Sequence, residues 1–459
     1  MSVLFLSILG TGNYSPIIYA ENTDNLSQLS PEKYVQIATT RLFKDEIDKI
    51  VIFVTKEAKE ANWLDKESNM GLQSQLLKEF PPDKIKPVDI PSGNNAEEIS
   101  TIFDAIYDSI LEKDEIIFDI THSFRFIPML ALVVMNYARN MKNARIRNIF
   151  YGNFLGKCQF NGIEYAPLMD LTVYNDILEW TNAANTFIKY GNVGEIKKLR
   201  EEDRQKRIRS LNQENLRKEM GQYEKTWKPV KKAVDAMDVL ANAMIYCRGS
   251  ANDTTHKFGI KPAYKSFKEI CNNSFEYKDI SAEIKPLYHI MSRIESEFTD
   301  TFNRIENDDS NYMYGLCAAK WLVNKGYTQQ GYTALRETFD TYLCERYGAD
   351  PDDKEERTLI SNFFNSLVNV DSFSDIASNP DIKQAMEKRT HLRTLYEDYK
   401  KGFFDGVQND ISKVQEYRND INHFGMRANP ISPDKLRNNL LSALNGLSDF
   451  IQRNPKTEE

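Results

Sequence analysis

The sequence predicts an α/β amino-terminal domain followed by an all-α carboxy-terminal half. Three observations predict it. Over the first ~170 residues, short apolar runs rich in Val, Ile and Phe alternate with stretches of helical period. Beyond about residue 173 the strand signal stops, and helical periodicity with many charged side chains takes over. The chain's 459 residues suggest roughly two to four domains, and 41% hydrophobic residues are enough to fill their cores.

Val3–Leu9 reads as a buried first strand, and 50–54, 86–90, 115–120 and 146–151 repeat the pattern. Continuous apolar runs mark strands covered on both faces, the habit of a parallel, Rossmann-like sheet. Between them, 96–111 is helical, with Ile99, Ile102, Phe103, Ile106 and Ile110 on one face. Residues 127–141 are apolar almost all round and are expected to be a fully buried helix. Residues 158–165 read as a terminal hairpin turning at Asn161-Gly162. The expected organisation is a first domain over 1–172, a helical connector over 173–305 and a last domain over 306–459. The connector is partly basic: 195–232 hold 13 Lys/Arg against 7 Asp/Glu. Such a run is a solvated helix face or, alternatively, an RNA-facing strip.

Composition excludes some classes. The formal charge of −8 argues against a protein that coats nucleic acid non-specifically. No apolar run approaches the ~18 residues of a membrane span. The opening Met1–Gly10 stretch lacks a basic region and a small-residue cleavage site, so it is not read as a signal peptide. Five widely spaced cysteines without a CxxC exclude a disulfide framework or a common zinc motif, and no metal site is expected. A reducing cytoplasm is the simplest compartment.

Two loops leave the carboxy-terminal ends of predicted strands, the edge where open α/β sheets bind ligands. The first is Gly10-Thr11-Gly12-Asn13-Tyr14. Its glycines allow close backbone approach and free amides for phosphate. Ser15 stands where a dinucleotide fingerprint needs its third glycine and Pro16 follows, so a plain NAD or FAD site is disfavoured. The second is Asp119-Ile120-Thr121-His122-Ser123-Phe124-Arg125. Thr121 and Ser123 can cap the next helix, while His122 and Arg125 can hold phosphate or a base edge. The alternative is purely structural: capping hydroxyls and an Asp119–Arg125 pair. Gly93 and Asn94, after the third strand, line the same edge, with Lys56 a weaker candidate. A phosphate-rich or nucleotide-like ligand is expected.

The sharpest constellation in the helical half is Arg418-Asn419-Asp420-Ile421-Asn422-His423. Val407, Ile411, Val414 and Ile421 form one apolar stripe, and Arg418 occupies its missing member. A guanidinium there needs a partner. Asn419 and His423, at i and i+4, share the neighbouring face, and Gly425 supplies a helix stop. Cleavage of RNA by its own 2′-hydroxyl needs these types: a proton carrier with a pKa near about 6.5 and a cation beside the crowded phosphorus. One helix supplies one histidine, so a two-fold dimer would complete the set. The alternative is an Arg418 paired with Asp420 or Asp410 and a capping histidine.

Four stretches together resemble the CRISPR-associated CARF–HEPN ribonucleases, ancillary effectors of type III CRISPR systems. They are Leu9-Gly-Thr-Gly-Asn-Tyr14, Phe118-Asp-Ile-Thr-His-Ser-Phe-Arg-Phe-Ile-Pro128, the run from Ala319 to Glu337, and Arg418 to His423. The resemblance implies a Rossmann-like CARF sensor of cyclic oligoadenylate, an allosteric activator rather than a cofactor, with cyclic tetra-adenylate the first choice. It implies one ligand site shared by two CARF domains of a homodimer. It implies a metal-independent HEPN endoribonuclease that cuts single-stranded RNA to 2′,3′-cyclic phosphates. Carried onto this chain, Gly10, Thr11, Gly12, Asn13, Tyr14, Gly93, Asn94, Asp119, Thr121, His122, Ser123 and Arg125 become ligand contacts. Arg418, Asn419 and His423 become catalytic. A regulator without nuclease activity, or a phosphodiesterase acting on the ligand itself, is the alternative.

Overall fold

The computed structural model describes residues 2–67, 69–122, 126–210, 216–249, 258–274, 285–307, 309–368, 380–426 and 428–455. They form two compact units, Met1–Leu178 and Glu179–Glu459. Ser123 and Arg125 lie outside the described residues.

The first unit contains β1 (Val3–Leu9), β2 (Ile18–Ala20), β3 (Lys49–Val54), β4 (Ile85–Asp89), β5 (Glu115–Asp119), β6 (Arg145–Gly152), β7 (Cys158–Phe160) and β8 (Ile163–Asp170). They make one eight-stranded sheet in the order β2-β8-β6-β5-β1-β3-β4, with β7 on β8. β1 is central and parallel to both neighbours, Leu6 standing opposite Val51 on one side and Phe118 on the other. β8 runs antiparallel to β6, so the sheet is mixed at that end. The expected hairpin joins β7 to β8, with φ of 50° at Asn161 and 80° at Gly162, the two positive angles a tight hairpin turn requires.

Alternate residues of the parallel strands face opposite ways, which explains the buried apolar runs of β1, β3 and β5. The expectation that 86–90 is a buried strand is corrected: β4 ends the sheet, with Lys86, Pro87 and Asp89 exposed. Phe5, Ile50, Ile52 and Val54 pack under α1 (Val35–Leu42) and α3 (Leu72–Leu76). Leu4, Leu6, Val51 and Phe53 pack under α4 (Ala96–Ser109) and α5 (Ile127–Lys142). A short α2 (Lys56–Ala58) follows β3 and widens into a π-turn over Lys59–Trp63. The expectation that α5 is buried all round is corrected. Ile127, Ala131, Val134 and Ala138 are buried against the sheet, whereas Met129 is 72% exposed and Val133 59%. A helix covering one sheet face has only one face to bury, and within the chain nothing described covers the other.

In the second unit every described element is helical: α6 (Thr172–Tyr190, which begins in the first unit), α7 (Gly194–Ser210), α8 (Leu216–Ile245), α9 (Ile260–Ser274), α10 (Lys285–Phe302), α11 (Asn311–Asn324), α12 (Thr328–Tyr347), α13 (Lys354–Val368), α14 (Pro380–Lys388), α15 (Thr390–Lys400), α16 (Gln408–Asn422) and α17 (Pro433–Arg453), with a short 3-10 turn after α10. One continuous apolar core runs from Trp180 to Ile451, so the helices before and after residue 305 share it. α12 is its axis: Tyr332, Leu335, Phe339, Tyr342 and Leu343 are all fully buried. No helix among the described residues is long and apolar enough to cross a membrane.

Candidate functional site

Two clusters carry the predicted site residues, one in each unit. In the first unit, Asp119 ends β5 and is fully buried. Ser7 Oγ donates to its Oδ2 (2.7 Å), and Thr121 donates to its Oδ1 through both N (3.1 Å) and Oγ1 (2.6 Å). Gln36 Nε2 donates to Ser7 Oγ (3.1 Å), which aims the serine proton at the carboxylate. Burial raises the Asp119 carboxyl pKa, and the Thr121 and Ser7 donors pull it part of the way back. Thr121 Oγ1 in turn accepts from the Gly152 amide (2.8 Å), so this hydroxyl ties β5 to β6.

The 10–14 loop meets this strand end. Tyr14 stacks on His122, with ring centroids 3.9 Å apart and 28° between planes. Burial raises the Tyr14 phenol pKa to about 12, against a smaller opposite pull from the Gly12 and Gly10 backbone. Burial lowers the His122 pKa to about 4, so the ring is neutral at physiological pH, and its Nε2 is buried without a partner among the described residues. Gly10 is required here: a Cβ would fall 2.6 Å from Tyr14 Oη and 2.8 Å from the His122 carbonyl oxygen. Asn62, on the π-turn, donates through Nδ2 to the carbonyls of Gly10 (3.0 Å) and Gly12 (2.9 Å). Thr11, Gly12 and Asn13 are exposed beyond this anchor.

Gly93 and Asn94 reach the same edge, since a Cβ on Gly93 would fall 2.2 Å from Phe126 Cζ. Their backbone amides both donate to Glu98 Oε2 at 2.9 Å, while Asn95 caps α4 by accepting from the Glu98 amide. An internal carboxylate thus satisfies these two amides. Lys56 sits exposed at the start of α2. Sequence reasoning missed Ser7, Gln36 and Asn62. Each lies in an apolar or helical run with no local signal of its contact.

In the second unit, α16 carries the Arg418–His423 group. Val407, Ile411 and Val414 are buried as the stripe predicts, and Ile421 is half-buried. Arg418 keeps 26% of its side chain exposed, and its Nη1 lies 3.4 Å from Glu337 Oε1 of α12. The partner is therefore Glu337, not Asp420 or Asp410. Glu337 is itself anchored, because Arg357 Nη2 donates to its Oε2 (2.8 Å) and to its carbonyl (2.7 Å). Asn419 and His423 are both exposed on the adjoining face, the His423 amide donating to the Asn419 carbonyl (2.9 Å). The helix stops sooner than Gly425 alone would require: Phe424, 88% exposed, already takes φ +58°, and Gly425 follows at +64°. Glu337 and Arg357 were not found from sequence, being remote from the motif in the chain.

A family model for the CARF domain of the CRISPR system endoribonuclease Csx1 matches residues 4–154. These residues are a CARF domain. The CRISPR-associated protein MJ1674 of Methanocaldococcus jannaschii is 23% identical over 337 residues, 72% of this chain and 46% of that protein. The chain therefore spans about half the length of this curated relative. A solved structure of Enterococcus italicus Csm6, bound to cyclic hexa-2′-fluoro-hexa-dAMP, covers 100% of this chain at 10% identity and a TM-score of 0.38. The chain thus carries a CARF domain over residues 4–154 and is similar to a CRISPR-associated protein. Within the CARF domain, the Asp119–His122 loop and the Gly10–Tyr14 loop meet at the sheet edge described above. Among the described residues, no group of three or more His, Cys, Asp or Glu side chains is placed to hold a metal ion.

Proposed function

We propose that this CARF protein is an endoribonuclease activated by cyclic oligoadenylate in type III CRISPR defence. Cyclic tetra-adenylate is the first candidate activator, single-stranded RNA the substrate and the cytoplasm the setting. In this reading residues 1–172 sense the ligand, 173–305 connect, and 306–459 form a HEPN nuclease. The observation that carries the proposal is the grouping of Arg418, Asn419 and His423 at one exposed end of α16, in a chain whose other unit is a CARF domain.

The chemistry follows from those side chains. His423 takes the 2′-hydroxyl proton or supplies one to the departing 5′-oxygen. Arg418 balances charge gathering on the phosphoryl oxygens, and Asn419 orients the phosphate. α16 carries one imidazole, so two chains related by a two-fold axis supply both proton roles. At the CARF edge, Thr11, Gly12, Asn13 and His122, with Ser123 and Arg125, contact the ligand. Asp119, Thr121 and Asn62 hold those loops in place.

The test is cleavage of a fluorogenic single-stranded RNA with and without cyclic tetra-adenylate or cyclic hexa-adenylate, in EDTA. Activator-dependent cleavage that leaves 2′,3′-cyclic phosphates and disappears in His423→Ala is expected. Cleavage that EDTA abolishes, or that His423→Ala leaves unchanged, would refute the mechanism. Turnover of the cyclic ligand that survives His423→Ala, with no RNA cut, would identify a phosphodiesterase instead.

A further inference from the structure

A cavity of about 380 Å³ opens in the helical unit at the turn between α6 and α7. Lys197, Asp238, Asn242, Ile245, Tyr246 and Tyr327 line it, none of them part of the Arg418–His423 group. Its walls are fixed. Gly191 adopts φ +70° and lies so close to Trp321 that a Cβ would fall 2.3 Å from the indole. Tyr327 lies nearly parallel to the same indole, 9° between planes, and its hydroxyl donates to the Tyr190 carbonyl (3.0 Å). Its polar edge is prearranged too. Lys197 Nζ sits 2.7 Å from Asp238 Oδ2, and Asn242 Nδ2 donates to Asp238 Oδ1 (3.1 Å). Tyr246, 66% exposed, stands at the rim.

The cavity adjoins the end of α16. Tyr327 precedes α12 by one residue. Two residues beyond it, Gln329 Nε2 donates to Oδ1 of Asn422, the residue before His423 (3.1 Å). From the other side, Cys247, next to Tyr246, places its thiol 3.7 Å from the Gln330 carbonyl. The start of α12 thus links the two, with Tyr327 in the cavity wall and Gln329, two residues on, bonded to the helix end.

We infer that this cavity is a subsite for one base of single-stranded RNA, next to the phosphate held at Arg418 and His423. The inference rests on the proposed nuclease reading and adds to it a base-recognition site. Its chemistry is that of unpaired-base recognition: an exposed aromatic ring for stacking and an amide for the base edge. Asn242 offers both a donor and an acceptor, and its Nδ2 is already oriented by Asp238. That pairing suits adenine, which presents an amino group beside a ring nitrogen. Asp238, spent on Lys197 and Asn242, orients the amide and keeps the lysine charge from dominating the site.

The experiment uses the full chain and fluorescent 2′-O-methyl homopolymers of A, C, G and U, which lack the attacking hydroxyl. Anisotropy titrations are run with and without cyclic tetra-adenylate. Loss of one stacked base predicts that Tyr246→Ala weakens oligo(A) binding by about five- to a hundredfold, with Tyr246→Phe retaining it. Asn242→Ala should erase the preference for A over U while the melting temperature stays unchanged. Wild-type protein that binds none of the oligonucleotides, or Tyr246→Ala and Asn242→Ala within twofold of wild type on all four, overturns the subsite. Cleavable RNA separates the two claims. Cleavage with KM unmoved in Tyr246→Ala sinks the subsite and leaves the nuclease standing. Binding that responds to Tyr246→Ala while no RNA is ever cut sinks the nuclease and leaves the subsite.

Discussion

Acidification should loosen the first unit through one side chain, His122. Its ring lies against Tyr14 at 3.9 Å, and burial holds its pKa at about 4, against about 6.5 for a free imidazole. The unfolded chain therefore binds the proton first as pH falls. Between about 6.5 and about 4 the unfolded state holds more protons than the native one, so stability rises with pH across that window and is lost on acidification. The full difference is about 3 kcal/mol, of which about 2 kcal/mol is already gone at pH 5. His122→Phe keeps a ring against Tyr14 and removes the titration. Urea unfolding of the two proteins at pH 7 and pH 5 gives the comparison. The wild type should lose about 2 kcal/mol relative to His122→Phe over that interval. A proton NMR titration should independently place the His122 midpoint far below the ordinary range. Parallel stability profiles, or a midpoint near about 6.5, would show that this histidine is solvated and that the stack is not a closed wall.

Four other substitutions test separate parts of the architecture. Asn62→Ala removes both donors to the Gly10 and Gly12 carbonyls and should lower stability by about 1–3 kcal/mol in urea unfolding while weakening cyclic tetra-adenylate binding by calorimetry. Gly93→Ala meets both φ +80° and Phe126 Cζ at 2.2 Å, so a loss of at least about 1–3 kcal/mol should appear as a lowered melting temperature. Arg336→Met strands the buried Asp340, whose carboxyl lies 3.1 Å from the guanidinium; unfolding should show a loss of about 3–5 kcal/mol, largely recovered in Arg336→Met/Asp340→Leu. Glu337→Gln removes the carboxylate beside Arg418 at an open site, so stability should move by less than about 1 kcal/mol, while affinity for uncleavable RNA rises a few-fold at low salt; a fall in affinity would contradict the phosphate-binding role.

What the sequence made legible follows from burial. All five predicted parallel strands form, and β1, β3 and β5 are apolar runs because both their faces are covered, whereas the edge strand β4 is largely exposed. The Asn161-Gly162 turn was legible because two successive positive φ angles demand those residue types. α1 was not, although it is buried, because its inner face carries Gln36, Thr39 and Thr40. The two threonines satisfy themselves locally: Thr39 Oγ1 donates to the Val35 carbonyl (2.9 Å) and Thr40 Oγ1 to that of Gln36 (2.8 Å), while Gln36 reaches Ser7 on β1. A helix whose polar residues are buried breaks the apolar period that reveals helices. The face of α5 failed for the opposite reason, since apolar composition reports what can be buried and not whether a neighbour is present. In the site, the stripe on α16 was readable because it repeats locally. The carboxylate that meets Arg418 comes from 81 residues away, and no local period encodes such a pair.

The neighbours Arg336 and Glu337 show how α12 divides two duties. Successive helical side chains point about 100° apart. Arg336, 3% exposed, turns inward to Asp340, Ser361 Oγ (2.7 Å) and Asn365 Oδ1 (3.2 Å), which fixes α12 against α13. Glu337 turns outward, takes Arg357 from that same α13, and presents its other oxygen to Arg418 of α16. The inward pair is shielded from solvent and holds the frame. The outward pair is open to water, long at 3.4 Å and therefore weak, so an incoming phosphate can displace the carboxylate without disturbing the frame behind it. Under the proposed nuclease reading this arrangement suits Arg418: a partner strong enough to orient it when the site is empty and weak enough to yield when an anion arrives.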